Sequence, residues 1–201
     1  MSDVVVLQPA AVPEVVDVLH ESFFDYPVMR FVLGTGARDY ERRLRTLVFF
    51  FVMARVFRDE VLLGIRTGEH LVGAALVSRP GGAEPAPDFV ALRAETWSEL
   101  GKGAQARYRA FGDACAPFDI GRPHLHLNMI GVRDRALGTG LGRKLIDSVH
   151  ERSRVDAESV GVTLTTEAPG NVALYQHFAY EIVGRATVAP GLMTWGFFRP
   201  D

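Results

Sequence analysis

With Cys115 as its one cysteine, the chain of 201 residues has no second thiol for an intrachain disulfide and no multi-cysteine set for a metal. A reducing, cytoplasmic setting without a metal is the expectation. Charge of one sign is lacking too: 22 Lys and Arg stand against 24 Asp and Glu, a formal net charge of -2. With no general positive field to attract a polyanion, nucleic-acid binding is not expected. Long apolar runs are also absent. "LVFFFVMA", Leu47 to Ala54, falls far short of the roughly 20 residues that a membrane-spanning helix needs, so it reads as a buried helix and no membrane partner is expected. The opening "MSDVVVLQPA" has neither the basic n-region nor the apolar h-region of a secretory signal. There is no internal repeat, and the one low-complexity stretch, "PGGAEPAPD" at residues 80 to 88, reads as a surface loop rather than a linker.

What is present suits a single domain over residues 1 to 201, since 48% of the chain is hydrophobic, enough for a substantial core. "VVVLQPA" reads as a short strand. From Pro13, the residues Val15, Val16, Leu19, Phe23 and Phe24 recur at helical spacing, with Pro27 as the stop. "RDYERRLRTLVFFFVMARVF" begins as an exposed, charged helix and then enters the core. "EVLLGIRTGEHLVGAALVSRP" holds two apolar runs around a turn at Thr67, Gly68 and Glu69, which signals a hairpin. "FVALRAETWSEL" and "AQARYRAFGDAC" read as two helices. The remainder alternates strand and helix to the end: "HLHLNMIGV", then a helix with Leu141, Leu145, Ile146 and Val149 on one face, "VTLTTEA", "NVALYQHFA", "YEIVGRATV" and "LMTWGFF". This order predicts an α/β fold with a mixed sheet and one parallel strand–helix–strand step. The apolar "LMTWGFF" strand suits either an edge that pairs with a second subunit, giving a possible homodimer, or burial within one chain.

The most informative stretch is "HLHLNMIGVRDRALGTGLGRKLIDSVHERSR", residues 124 to 154, where Gly138, Gly140 and Gly142 stand between a strand and a helix. A helix N-terminus presents unpaired N–H groups and partial positive charge, and glycines let a phosphate approach such a backbone closely. A dinucleotide fingerprint would need glycine at position 143, where Arg143 stands, and no glycine here is followed by Lys and Ser or Thr as in a P-loop. A tight turn with no ligand is the alternative.

"VRDRALGTGLGRKL", Val132 to Leu145, resembles the pyrophosphate loop of the GNAT superfamily of acyl-CoA N-acyltransferases, V-x-x-x-x-[RQ]-G-x-G-[IL]-G-x-x-L, with Leu137 in place of the usual Arg or Gln. "LTTEAPGNVALYQHFAYEIVG" resembles the second half of the family's signature, with Ala179 and Tyr180 in place of Gly-Phe. The order of elements resembles the family over essentially the whole chain. The resemblance implies a GNAT fold, a mixed sheet of about six to seven strands flanked by helices and splayed where acetyl-CoA lies. It also implies transfer of the acetyl group of acetyl-CoA directly to a primary amine in a ternary complex. Main-chain donors of Gly138, Thr139, Gly140, Leu141, Gly142 and Arg143 would hold the pyrophosphate, with Leu137 beside it as a cofactor-binding position that lacks the usual side-chain donor. Val132, Met129 and Ile130 would line the pantetheine arm, the latter two beside the oxyanion, and Asn171 would contact cofactor amides or cap its helix. Tyr175 matches the tyrosine that protonates the leaving thiolate.

For the general base, strand parity puts His124, His126, Asn128 and Ile130 on one face and Leu125, Leu127 and Met129 on the other. His126, whose ordinary pKa near 6.5 suits the role, is the candidate. Glu167 is the rival, and a water chain is a third route. Cys115 has no evident histidine partner, which disfavours an acyl-cysteine route. A small-molecule amine is the expected acceptor. A protein N-terminus or lysine, and a binding module that senses acyl-CoA without turnover, are the alternatives.

Overall fold

The computed structural model describes residues 3–34, 36, 38–80 and 86–201. Residues 81–85 of the proline- and glycine-bearing stretch lie outside them; Pro87 and Asp88, which also belong to that stretch, already form the first turn of a helix rather than a loop.

The chain opens with strand β1 (Val4–Val6), followed by helix α1 (Val12–Ser22), whose Val15, Val18 and Leu19 are fully buried. Helix α1 ends at Ser22, before Pro27. That proline opens a further helix, α2 (Pro27–Leu33), at a first-turn position where a missing N–H costs nothing. Helix α3 (Tyr40–Val56) carries the apolar run, and the hairpin follows as β2 (Val61–Thr67) and β3 (His70–Ser78). The two helices expected next form one element, α4 (Pro87–Cys115), broken at Gly101, where φ 83° and ψ 160° are open to glycine but not to a helix. After it come β4 (Leu125–Val132), α5 (Leu141–Val155), β5 (Gly161–Thr166), α6 (Gly170–His177), β6 (Glu181–Ala189) and β7 (Leu192–Pro200).

Among the described residues the strands form one seven-stranded sheet in the order β1-β2-β3-β4-β5-β7-β6, antiparallel at every step except β4–β5. The "LMTWGFF" strand is therefore not an edge. β7 lies between β5 and β6, which explains its apolar character within one chain, and β6 forms the border. One face of the sheet is covered by α1 to α4 and the other by α5. No described helix is long and apolar enough to cross a membrane.

Two irregularities shape the centre of the sheet. The parallel strands pair only from Leu125 to Leu127 against Val162 to Leu164, although β4 runs on to Val132 and β5 to Thr166, so the strands part. At the point of parting, Leu76 of β3 faces Met129 while Val77 faces Leu127, which makes Asn128 the extra residue of a bulge. The bulge reverses the parity expected for the second half of β4. Leu125, Leu127, Ile130 and Val132 belong with the α5 side, and Met129 is buried on the α1–α4 side, the reverse of the assignment of Ile130 and Met129 by simple alternation.

Candidate active site

The glycine loop leaves β4 through Arg133, whose guanidinium pairs with Glu21 at 2.6 Å while the amide of Asp134 donates to the same carboxylate at 2.8 Å. Helix α5 then begins at Leu141 with Gly140 as its N-cap. Gly138 and Gly140 have φ of 74° and 81°, so the left-handed turns they make account for both. Gly142 is different. It lies inside the first turn of α5 with no positive φ, and a Cβ built there meets nothing within 4 Å, so neither conformation nor internal packing asks for glycine. Bare backbone beside the first unpaired amides of a helix is what a phosphate group requires, and on this ground the loop fits the pyrophosphate of coenzyme A. The side chain of Leu137, 62% exposed, offers no hydrogen bond, and its amide already donates to the Asp134 carbonyl at 3.2 Å. Arg143 sits over the Phe178 ring at 4.8 Å and donates to Nε2 of His177 at 3.0 Å, which ties the loop to the end of α6.

Where β4 and β5 part, a cavity of about 600 Å³ opens between the sheet, the α1–α2 connection and helices α2 to α4, and reaches α6. His126, Met129, Ile130, Asn171 and Tyr175 all line it, so the structure brings these sequence candidates together; Val132 and Leu137 to Arg143 lie outside its wall. Tyr175 is buried against Tyr180 and Phe197, and burial pushes its hydroxyl up to about 12, so it stays protonated at neutral pH. Asn171, one helical turn before it, does not cap α6, whose N-cap is Pro169. Its side-chain N–H donates to Oγ1 of Thr166 at 3.3 Å.

Two groups capable of base chemistry face the same space. His126 Nδ1 lies 2.8 Å from Thr163 Oγ1, and burial, with the charges of His124 and Arg55, pushes its pKa down to about 4. Glu167, just past β5, behaves in the opposite sense. Burial pushes its carboxyl up to about 7, against the opposing pull of hydrogen bonds from Thr194 and Tyr26. Thr194 Oγ1, fully buried, donates to Glu167 Oε1 at 2.8 Å, and Cys115 Sγ stands 3.7 Å from that same hydroxyl. Because the threonine hydrogen goes to the carboxylate, the thiol is the donor to Thr194. Burial pushes the Cys115 thiol up to about 11, so it is held as a thiol rather than a nucleophilic thiolate.

Several cavity residues escape sequence reading. Tyr26, from the α1–α2 connection, shares a hydrogen bond of 2.8 Å with Thr166 Oγ1 and accepts from the Glu167 amide at 3.2 Å, across 140 residues or more of chain. Nothing local to "DYPVM" signals this. Arg55, in the last turn of an apolar helix, and Thr194, one position in an apolar strand, likewise carry no local signal. By contrast, the arginines at the start of α3 are engaged in the structure of the protein: Arg42 pairs with Asp39 at 2.6 Å and with Glu99, and Arg45 with Asp17 at 2.6 Å.

No protein-family model matches the chain, and no curated protein does. Solved structures do. A Corynebacterium glutamicum protein described as histone acetyltransferase HPA2 and related acetyltransferase superposes with a TM-score of 0.67 at 22% identity, covering 99% of this chain and 96% of that one. Arylalkylamine N-acetyltransferase 2 from Aedes aegypti gives 0.66 at 13% identity, over 98% of this chain and 97% of that one. The Drosophila melanogaster polyamine N-acetyltransferase, which forms N-acetylagmatine, gives 0.60 at 17% identity, over 98% of both chains.

Proposed function

From the fold of the GNAT acetyltransferases, which this chain carries over its whole length, we propose that the protein is an N-acetyltransferase that moves the acetyl group of acetyl-CoA directly to the primary amine of a small molecule. One observation carries the reading: the cavity at the parted strands holds both a carboxyl with a pKa near 7 and a phenol held protonated. An alkylamine of ordinary pKa near 10.4 is neutral in less than about one part in a thousand at pH 7, so its attack needs a base. Glu167 fills that role. A histidine pushed down to about 4 is too weak a base for an ammonium, and His126 serves as a neutral wall of the cavity.

Acetyl-CoA supplies the thioester, whose C–S bond breaks as the C–N bond forms. Glu167 takes the proton that the amine loses, and the Tyr175 hydroxyl gives one to the departing sulfur. Main-chain N–H groups at Met129 and Ile130, where β4 still pairs with β3 but has parted from β5, would steady the charge that builds on the carbonyl oxygen. The amides of Gly138 to Arg143 hold the pyrophosphate, and Asn171 the pantetheine amides. Walls from four helices favour a small amine over a protein segment. The arylalkylamine and polyamine enzymes among the structural neighbours act on amines of that size. A cytoplasmic setting, where the single thiol stays reduced, accompanies the reading.

The test is calorimetric titration with acetyl-CoA of the wild type and of Gly140→Val, followed by assay of free CoA with a panel of primary amines. Binding lost in the variant together with amine-dependent CoA release is the expected result. Binding without release for any amine would overturn the enzyme reading and leave an acyl-CoA sensor; no binding would overturn both.

A further inference from the structure

Arg55 ends α3 and lines the acceptor cavity, whereas Glu167 enters it from the end of β5. Its Nε lies 2.8 Å from Oε2 of Glu60, with 12% and 10% of the two side chains exposed, yet neither atom has the alignment of a hydrogen bond. The terminal nitrogens Nη1 and Nη2 make no hydrogen bond among the described residues. A guanidinium carries five N–H donors in one plane, and of the three Arg55 nitrogens only Nε is both fully buried and without a partner, which leaves Nη1 and Nη2 open to the cavity. A cation at a helix C-terminus needs only the surface to complement the dipole, so that role does not explain a buried position in a cavity wall. The neighbouring walls are the rings of Phe51, Tyr108 and Phe111.

We propose that Arg55 reads the far end of the acceptor: the substrate is a primary amine with an apolar body and, remote from the nitrogen, a neutral oxygen that accepts hydrogen bonds from Nη1 and Nη2. A carboxylate fits less well, because Glu60 already balances Arg55 and Glu167 adds a second negative group to the same walls. A second ammonium fits worst, since it would meet the guanidinium, so diamines and polyamines are shut out. The inference rests on the acetyl-transfer reading for events at the amine nitrogen, and on Arg55 alone for recognition of the other end.

The probes are para-methoxyphenethylamine, its para-ethyl isostere without the oxygen, and butane-diamine. Each is titrated calorimetrically into the CoA-saturated protein and assayed for CoA release with acetyl-CoA. The wild type is expected to favour the methoxy compound over the ethyl isostere by about 10- to 100-fold and to bind the diamine least. The double variant Arg55→Met/Glu60→Gln, which leaves no uncompensated charge behind, is expected to reduce that preference to within about threefold while the ethyl compound binds as before. Equal affinity of the wild type for the methoxy and ethyl compounds, or preference for the diamine, overturns the inference without any variant. CoA release from none of the three would count against the acetyl-transfer reading, and the ratio of dissociation constants would still decide the role of Arg55.

Discussion

At the scale of single residues, burial decides which group carries the chemistry. Glu167 and His126 line one cavity, and the same desolvation moves them in opposite directions, because it penalises an anion in one case and a cation in the other. The carboxyl arrives near 7, where a base works best at neutral pH, and the imidazole leaves that range. Replacing Glu167 by Gln is expected to lower kcat/KM by about 100- to 1,000-fold and to remove the inflection near pH 7 from its pH profile, with acetyl-CoA affinity unchanged. An inflection that survives in the variant would assign the base elsewhere. Sequence reading favours His126 on ordinary pKa values, and only burial, which a sequence does not display, reverses the order. A second residue-scale outcome concerns Ala179, which adopts φ 63° where the family pattern has glycine. The left-handed conformation strains an alanine, so Ala179→Gly is expected to stabilise the protein by up to about 1 kcal/mol in urea unfolding, the relief being offset in part by the freer unfolded chain. The ring that follows is unaffected: Tyr180 lies buried 2.8 Å from His150 Nε2, and because Arg199 donates to His150 Nδ1, the imidazole donates to the tyrosine.

The elements show what a motif can and cannot convey. The strand, glycine loop and helix from Leu125 to Val155 stand where periodicity and the loop motif place them, since local spacing fixes both. The bulge at Asn128 has no such signature. It follows from the pairing of β4 with β3, more than 50 residues earlier in the chain, and it exchanges the faces of Met129 and Ile130. The position of β7 inside the sheet is likewise a matter of strand order, which an apolar segment cannot report. Gly142 lets the ligand role of the loop be separated from its structural role. Alanine suits the first turn of α5 and meets nothing there, so Gly142→Ala is expected to raise stability by up to about 1 kcal/mol while weakening acetyl-CoA binding about tenfold or more. A variant that gains stability and keeps its affinity would show that the cofactor does not approach this backbone. Gly140→Val cannot make that distinction alone, because φ 81° adds strain to the steric block.

In the molecule as a whole, the two displaced groups of the cavity act on folding with opposite signs. The buried His126 binds its proton less readily than an unfolded histidine, so between about pH 4 and 6.5 the unfolded chain holds more protons, and stability rises with pH over that window. The buried Glu167 holds its proton more readily than an unfolded glutamate, so its contribution is full below about pH 4.5 and is lost as pH rises through about 7. Each displacement corresponds to about 3 kcal/mol as an upper limit, because both side chains border the cavity rather than the closed core. From about pH 4.5 to 6.5 the slopes oppose each other, and the wild type shows little net dependence from this pair. Glu167→Gln removes the falling component, so relative to the wild type its stability is expected to climb by up to about 3 kcal/mol between those pH values. His126→Asn removes the rising component and is expected to decline by a similar amount, and the double variant to track the wild type again. Urea unfolding at pH 4.5 and 6.5 on the four proteins measures this directly, and taking differences from the wild type removes the titration of the surface carboxylates. Parallel pH dependence in all four would mean that neither group is desolvated in the folded protein, and Glu167 would then be left without the raised pKa that its role as base requires.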